Sequence, residues 1–221
     1  MSIRASASRN KDFMQRLPLE HAALVRGTGS IIGAINRAGI SSAVELAPDK
    51  WNAGGTITIE NAVVIRGRAP STEIESLVGS TTPLIHITAS NVVIDGLKLK
   101  GPTGQAYGIH VAASDVTIKN CVFEGFTNPI YVRSADRVMV KNCRITGQAG
   151  IGIHYYDSDD GNICCNNIED VSANEIQVDN ASKRNVISSN ACGSGGDVYI
   201  DNTGSAGNVH AANAATVTVV T

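Results

Sequence analysis

Short phrases in which apolar and polar residues alternate recur along most of the chain, and each closes on a small or turn-forming residue. The first type has five residues: the first and third are apolar, and the fifth is the closing residue. It occurs seven times, at 63–67, 92–96, 116–120, 138–142, 163–167, 186–190 and 209–213. Alternation over so few residues is typical of short, half-buried strands joined by tight turns.

A second alternating phrase keeps the same period and lies upstream of each copy of the first. Its copies are 57–59, 85–87, 109–111, 130–132, 153–155, 176–178 and 198–200. A third short strand follows the turn in several repeats, as at 97–99, 121–123 and 143–145. Three strands per repeat, kept in phase over seven copies, predict a solenoid in which each strand pairs with its copy in the next coil.

The closing residue of the first phrase is glycine or asparagine in every copy, which favours a backbone turn with positive φ. Successive closing residues are 22 to 29 positions apart. We therefore expect the five asparagines in this series to stack as a ladder, with each side-chain amide bonded to the next. They are Asn120, Asn142, Asn167, Asn190 and Asn213.

These repeats divide the chain into three parts. Residues 1–18 form a polar N-terminal arm, residues 19–42 a helical cap in two pieces broken at 27–29, and residues 43–221 a parallel β-helix of about seven coils. The fold class is all-β, a single-stranded right-handed parallel β-helix with an N-terminal helical cap.

The segment 43–51, followed by 57–59 and 63–67, resembles the first coil of the pectate-lyase-like superfamily. That superfamily includes phage tailspikes, polygalacturonases and alginate epimerases, and the resemblance covers residues from about 30 to 221. It implies that a helix at 30–39 plugs the open end of the solenoid. It specifies function weakly, because the superfamily contains enzymes as well as inert scaffolds.

Composition and charge narrow the class of protein. The hydrophobic share is 43% and the aromatic share only 4%, so aliphatic residues must fill the core. A formal charge of −2 provides no field for nucleic acid, and no apolar run is long enough to cross a bilayer. The first residues lack a signal-peptide pattern, which predicts folding in a host cytoplasm. We expect the five cysteines to be buried thiols.

The middle residues of the second phrase predict one outward column, and it contains three of the five histidines. The candidate binding residues are His86, His110, Tyr131, His154, Gln177 and Tyr199, with Thr58 in the first coil. A polysaccharide lying along the column, with sugar rings against aromatic faces, is one interpretation. A subunit interface or an ordinary strand surface are the others.

Three aspartates in the turn after His154 suggest acid–base chemistry or a Ca²⁺ site. Asp157, Asp159 and Asp160 offer three carboxylates in four residues, but the pattern fails as an EF-hand because Ile168 stands where the bidentate glutamate belongs. If the protein is an enzyme, the catalytic candidates are His154, Asp157, Asp159 and Arg133. A solvated turn without a metal is the simpler interpretation, and we expect no cofactor.

The middle residues of the first phrase predict an apolar outer stripe, which is typical of an interface; the alternative is that a loop or the N-terminal arm covers it. Its members are Val64, Val93, Met139, Cys164 and Ile187. The segment 214–221 ends the last coil without a polar cap, so its edge invites another strand. These features predict a homotrimer that contacts other virion proteins through the N-terminal arm or the C-terminal edge.

Together, the sequence predicts a virion component of phage type, a small spike, fibre or decoration protein with possible polysaccharide binding. It predicts neither nucleic-acid nor membrane partners. The alternative is a polysaccharide lyase, hydrolase or epimerase that acts along the histidine–tyrosine column.

Overall fold

The computed structural model describes residues 22–25, 31, 33, 42–77, 79, 81–148, 150–193, 197–201, 203, 207–214 and 216–221. The described chain is a stack of parallel strands. Every strand pair has parallel register, and each strand pairs with its counterpart in the neighbouring coils. The parallel β-helix predicted from the repeats is confirmed.

One sheet contains the first phrase and follows the whole length of the solenoid. Its nine strands are β1 (Ala22–Val25), β2 (Ser42–Leu46), β5 (Val63–Arg66), β8 (Val93–Asp95), β10 (Thr117–Lys119), β12 (Met139–Lys141), β15 (Asn162–Cys164), β18 (Val186–Ser188) and β21 (Val209–Ala211). We call it the first sheet.

The other thirteen strands form one sheet with two branches, joined by the long strands β9 (Lys98–Val111) and β11 (Val122–Arg133). The third phrases form one branch: β3 (Lys50–Ala53), β6 (Glu73–Ser76), β13 (Arg144–Gln148), β16 (Asn167–Val171) and β19 (Ala191–Cys192). The second phrases form the other branch: β4 (Ile57–Ile59), β7 (Pro83–Ile87), β14 (Ile153–Tyr156), β17 (Ile176–Asp179), β20 (Asp197–Asp201) and β22 (Thr216–Val220). We call the latter the second-phrase branch.

Because like positions lie above one another, the core is built from columns of aliphatic side chains. One column of the first sheet contains Ile65, Ile94, Ile118, Val140, Ile163 and Ile187, all of them buried. Each such side chain contributes roughly 1.5–3 kcal/mol by leaving water. No helix in the described part of the chain is long and apolar enough to cross a membrane.

The predicted helical cap at 19–42 is wrong in its first piece. Residues Ala22–Val25 form strand β1, which pairs in parallel with Ser42–Leu46 and extends the first sheet by one strand. A short apolar run fits a helix or a strand equally well, and the open edge of β2 selects the strand. Helical backbone is present at Ile31 and Gly33. The arm at 1–18 lies outside the described residues.

The predicted asparagine ladder is two different structures. Asn120 and Asn142 have positive φ and lie in the predicted turn column, where Asn142 Nδ2 donates to Asn120 Oδ1 at 3.4 Å. In the next coils that column continues through Cys165, Ser189 and Ala212, which also have positive φ. The later asparagines form a second column one residue further on, made of Asn166, Asn190 and Asn213. Asn167 belongs to strand β16 instead.

The predicted apolar outer stripe is not a continuous exposed surface. Val64 and Val93 point outward but are only 0% and 6% exposed, so the chain itself covers them. Met139 pairs with Asn162 rather than Cys164, which places Ile187 in the core with 0% exposure. The phrase alignment is displaced in the later repeats: Ile163 pairs with Val140, and Ile187 pairs with Ile163, so both belong to the inward column. Met139 and Cys164 are half-buried, and an interface role for them stays a prediction.

The five cysteines are free thiols, and their burial varies. Cys121 and Cys143 are buried in equivalent places, as expected, and burial raises the pKa of Cys143 well above its usual value. Cys164 and Cys192 are half-buried, and Cys165 is exposed, so the expectation of burial is wrong for Cys165. Its place in the positive-φ turn column points it to solvent.

Candidate functional site

The outward column of the second-phrase branch forms as its period predicts. Register pairs link Thr58 to His86, His110, Tyr131, His154, Gln177, Tyr199 and finally Thr218. Alternation along each strand turns these side chains outward, while their neighbours such as Ile130 and Val132 fill the core. We call this column, from His86 to Tyr199, the His–Tyr row.

The rings of the row stack on one another along the solenoid axis. Centroids are 4.9 Å apart for His86 and His110, 5.2 Å for His110 and Tyr131, and 5.1 Å for Tyr131 and His154. These distances match the spacing of paired strands. Each interior ring therefore has one neighbouring ring on each of its two faces. The rings therefore present their edges outward, and the expected stacking of sugar rings on aromatic faces does not fit the interior of the row.

Aromatic residues flank the row on both sides. Tyr107 stacks on Tyr131 at 5.2 Å, and Tyr156 meets His154 edge-on at 5.9 Å. The guanidinium carbon of Arg133 lies 5.6 Å from the centre of the Tyr156 ring. The result is a surface of aromatic edges, two to three side chains wide, with one cation at its border.

A hydrogen-bonded carboxylate follows the aromatic part of the row. His154 Nε2 lies 3.0 Å from Asp179 Oδ1, and Gln177 Nε2 donates to the other oxygen of the same carboxylate. Asn174 Nδ2 donates to Gln177 Oε1 at 2.9 Å, which fixes the amide of Gln177. Burial raises the pKa of Asp179, but the hydrogen bonds from His154 and Gln177 outweigh it, so the pKa lies below its usual value. Asp179 is therefore an anion at neutral pH.

The histidines at the other end of the row have buried nitrogens. Among the described residues, Nε2 of His86 and Nε2 of His110 are buried without a hydrogen-bond partner. Burial, followed by the charges of His86 and Arg133, lowers the pKa of His110 to about 4. His110 is therefore neutral at physiological pH, and the face carries less positive charge than its histidine content suggests.

The phenolic edges provide hydrogen-bonding groups that the chain leaves open. Among the described residues, the hydroxyls of Tyr107, Tyr131 and Tyr156 make no hydrogen bond within the protein and are not buried. Burial raises the pKa of Tyr131, so its hydroxyl keeps its proton at neutral pH. A hydroxyl both donates and accepts a hydrogen bond, so the face is suited to a ligand rich in hydroxyl groups.

The aspartates of the predicted acidic turn are engaged elsewhere. Asp157 Oδ2 accepts from Ser134 Oγ at 3.1 Å, and Asp159 Oδ1 accepts from the backbone nitrogen of Lys183 at 2.7 Å. Arg184 reaches Asp159 at 3.2 Å and binds both oxygens of Asp160. The hydrogen bond from Arg184 lowers the pKa of Asp160. The carboxylate that contacts His154 is Asp179, so Asp157 and Asp159 do not join a catalytic group with it.

A Ca²⁺ site finds no support in this turn, because the carboxylates already face Arg184 and backbone donors. Among the described residues, no group of three His, Cys, Asp or Glu side chains is placed to hold a metal ion. Of the four catalytic candidates, His154 and Arg133 lie on the same face, linked through Tyr156.

The structure adds Tyr107, Tyr156 and Asp179 to the site, none of which the sequence interpretation placed there. Tyr156 and Asp179 lie two residues beyond His154 and Gln177 on the same strands, so they point to the same side. Extending the alternation by one step along each second phrase finds both. Tyr107 precedes His110 by three residues on strand β9, so alternation does not place the two side chains together. Its stacking on Tyr131 shows that it borders the row.

Residues 79–219 match the family model described as the right handed beta helix region, and the chain belongs to this family. The predicted handedness and resemblance are thus confirmed. No curated protein matches the sequence.

Solved structures share the fold at low identity. The catalytic domain of GH87 alpha-1,3-glucanase in complex with nigerose aligns with a TM-score of 0.66 and 17% identity, over 84% of this chain and 38% of that one. The same domain in complex with tetrasaccharides has a TM-score of 0.66 and 15% identity, over 90% of this chain and 45% of that one. ORF18 of Geobacillus virus E2 has a TM-score of 0.54 and 11% identity, over 83% of this chain and 49% of that one. The chain thus spans less than half the length of these proteins.

Proposed function

We propose that the protein is a polysaccharide-binding module of a phage virion, a small spike, fibre or decoration protein that holds a glycan along the His–Tyr row. The observation that carries the proposal is the run of open tyrosine hydroxyls and polar edges on successive coils. These hydroxyls belong to Tyr107, Tyr131 and Tyr156.

The spacing of these groups suits a polymer. Strand pairing repeats the polar edges at about 4.8 Å intervals, close to the length of one sugar residue in an extended chain. The edges offer hydroxyl, imidazole, carboxamide and carboxylate groups, which together can pair with the donors and acceptors of sugar hydroxyls. Arg133 and Asp179 balance each other in charge, so the face has no strong preference for a charged glycan.

The binding proposal is tested by removing hydroxyls while keeping the rings. Replacing Tyr131 and Tyr156 with Phe leaves the stack intact and deletes one donor and acceptor on each of two coils. Each lost hydrogen bond is worth about 1 kcal/mol, so the double variant, which loses two, should bind about thirtyfold more weakly. Binding is measured by calorimetry against neutral and acidic polysaccharides.

Tyr155→Phe is the matched control, because Tyr155 lies between His154 and Tyr156 but points into the core. Its hydroxyl donates to the carbonyl of Val138 at 2.9 Å. The control should lose stability and keep wild-type affinity. Equal affinity of wild type and the double Phe variant, or no binding of any glycan by wild type, would refute the proposal.

A second candidate, a polysaccharide lyase, hydrolase or epimerase, is favoured by the contact between His154 and Asp179. A carboxylate that orients one imidazole nitrogen leaves the other to accept a proton, and Tyr156 beside it is a possible proton donor. If this candidate is right, Asp179→Asn and His154→Gln abolish the release of reducing or unsaturated ends but retain binding. Asp159→Asn, which lies in the separate acidic turn, should then leave turnover unchanged.

The virion setting is supported by the sharing of this fold with ORF18 of Geobacillus virus E2. The assembly that we propose with it is a homotrimer that docks on other virion proteins. On the outer side of the first sheet, Val186 is 39% and Val209 54% exposed, which supports an interface near the last coils. Light scattering should give three times the monomer mass, and Val209→Glu should lower it to that of the monomer. A monomeric wild type would refute the trimer.

A further inference from the structure

A small polar cleft opens beside the first coils of the second-phrase branch. Its volume is about 110 Å³, and the residues that provide hydrogen-bonding groups to it are Thr56, Ser76, Thr82 and Gln105. Pro83 and Leu84 add an apolar side, and Gly54 and Gly55 complete the lining. None of these lining residues carries a charge, so the cleft favours an uncharged ligand.

Gln105 is the fixed polar group of the cleft. It is only 1% exposed, and its Nε2 donates to the carbonyl of Thr82 at 2.6 Å while its Oε1 accepts from Ser76 Oγ at 3.2 Å. Because a carbonyl only accepts, the first bond fixes which side of the amide is nitrogen. A carboxamide has two N–H groups and two acceptor positions, so one of each remains for a ligand.

Gly54 and Gly55 line the cleft without side chains. A Cβ built on either glycine meets no atom within 4 Å, so the space in front of them is empty of protein. At roughly 30 Å³ per water, about 110 Å³ holds three to four waters, far below the 300 Å³ or more of a site for a larger organic ligand. The cleft therefore has room for part of one sugar residue and not for two linked rings.

The cleft lies at one end of the candidate binding face. Pro83 pairs with Tyr107, and Gln105 precedes Tyr107 by two residues on strand β9. Thr56 Oγ donates to the carbonyl of Pro83 at 2.8 Å, which ties the cleft to strand β7, and His86 of the row stands on that strand. A chain lying along the row and continuing past Tyr107 would reach the cleft.

We propose that the cleft is an end site, which holds the uncharged terminal sugar residue of a glycan whose next residues lie on the His–Tyr row. This inference rests on the proposed glycan binding and adds to it that binding is selective for a chain end. The fixed carboxamide of Gln105 and the hydroxyl of Thr56 supply hydrogen bonds for the sugar hydroxyls.

The test compares chain-end binding with binding at internal residues. Calorimetric titrations use linear gluco-oligosaccharides of two to eight residues and size-fractionated linear glucans with α-1,3, α-1,4 and β-1,3 linkages. An end site gives one bound protein per chain whatever the length. Gly55→Leu, which adds a bulky side chain to the cleft lining where a Cβ meets no atom within 4 Å, should lower the affinity at least tenfold.

Gly55→Ala is the matched control, since one methyl group leaves most of the cleft free and should change the affinity less than threefold. Gln105→Ala, checked for folding by its thermal transition, should weaken binding as Gly55→Leu does. If the number of proteins per chain rises in proportion to length and Gly55→Leu binds like wild type, the end site is refuted while binding on the row stands. If wild type binds none of these glucans, the end site for a neutral glucan is refuted, and acidic polysaccharides still test the row separately.

Discussion

The side-chain oxygen of Asn190 accepts two hydrogen bonds from Asn166, from its backbone nitrogen at 3.1 Å and from its amide at 3.0 Å. Asn190 in turn donates its amide to Asn213 Oδ1 at 2.9 Å and to the carbonyl of Ile163 at 3.0 Å. The asparagine column thus joins successive coils. In the earlier coils the same position is occupied by the buried Cys121 and Cys143, and the backbone nitrogen of Cys143 donates to Asn166 Oδ1.

Replacing Asn190 with Ala should destabilise the protein by about 3 kcal/mol, because four hydrogen bonds are lost and buried polar groups of Asn166 lose their partner. Asn167→Ala is the control, since the side chain of Asn167 is half-buried and, within the described part of the chain, donates only to Glu169 at 3.0 Å. The control should cost less than about 1 kcal/mol. Chemical denaturation measures both, and similar losses would contradict the assignment of the ladder to Asn166, Asn190 and Asn213.

Ile187 and Val186 are neighbours with opposite environments, 0% and 39% exposed. Ile187→Glu places a charge among core side chains and should cost roughly 3–5 kcal/mol or prevent folding. Val186→Glu should change the monomer's free energy of unfolding by less than about 0.5 kcal/mol. A stable, folded Ile187→Glu protein would show that the register of the fifth and sixth coils is different.

His110 should make the folded protein less stable as the pH is lowered. Its pKa is about 4 in the folded chain, lowered chiefly by burial, against about 6.5 when unfolded. Between these values the unfolded chain binds a proton that the folded chain does not, so its contribution is fully present above about pH 6.5 and is lost as the pH falls toward 4.

The change to test this is His110→Gln, which should flatten the dependence of the free energy of unfolding on pH between 4 and 6.5. His210→Gln is the control, because His210 is exposed in strand β21. The interpretation fails if wild type and His110→Gln lose stability in parallel over this range.

Two glycines with positive φ allow the cost of a left-handed backbone to be measured separately from the cost of a steric clash between coils. Gly125 has φ of 81°, and a Cβ there would collide with the carbonyl oxygen of Gly101, whereas Gly147 has φ of 67° and open space in front of it. Gly147→Ala should cost about 1–2 kcal/mol from the left-handed backbone alone. Gly125→Ala should cost clearly more, as read from the midpoint of thermal unfolding. Equal costs would mean that the coils can separate at Gly101.

The sequence by itself determined the solenoid, its period and the outward column of histidines and tyrosines. Those features depend on alternation within a strand and repetition between coils, and both can be read directly from the spacing of residues in the sequence. The position of His154 between Tyr131 and Gln177 follows from this counting alone, and the register confirms it.

Tertiary structure decided what depends on the exact length of each coil and on neighbours distant in sequence. The phrase 163–167 offers two adjacent asparagines, and only the pairing of Met139 with Asn162 selects Asn166 for the inner column and Ile187 for the core. Likewise, nothing local indicates that the chain covers Val64 or that Asp179, rather than Asp159, meets His154. These outcomes follow from burial and hydrogen bonding between coils, which minimise free energy over the whole stack and not within any one repeat.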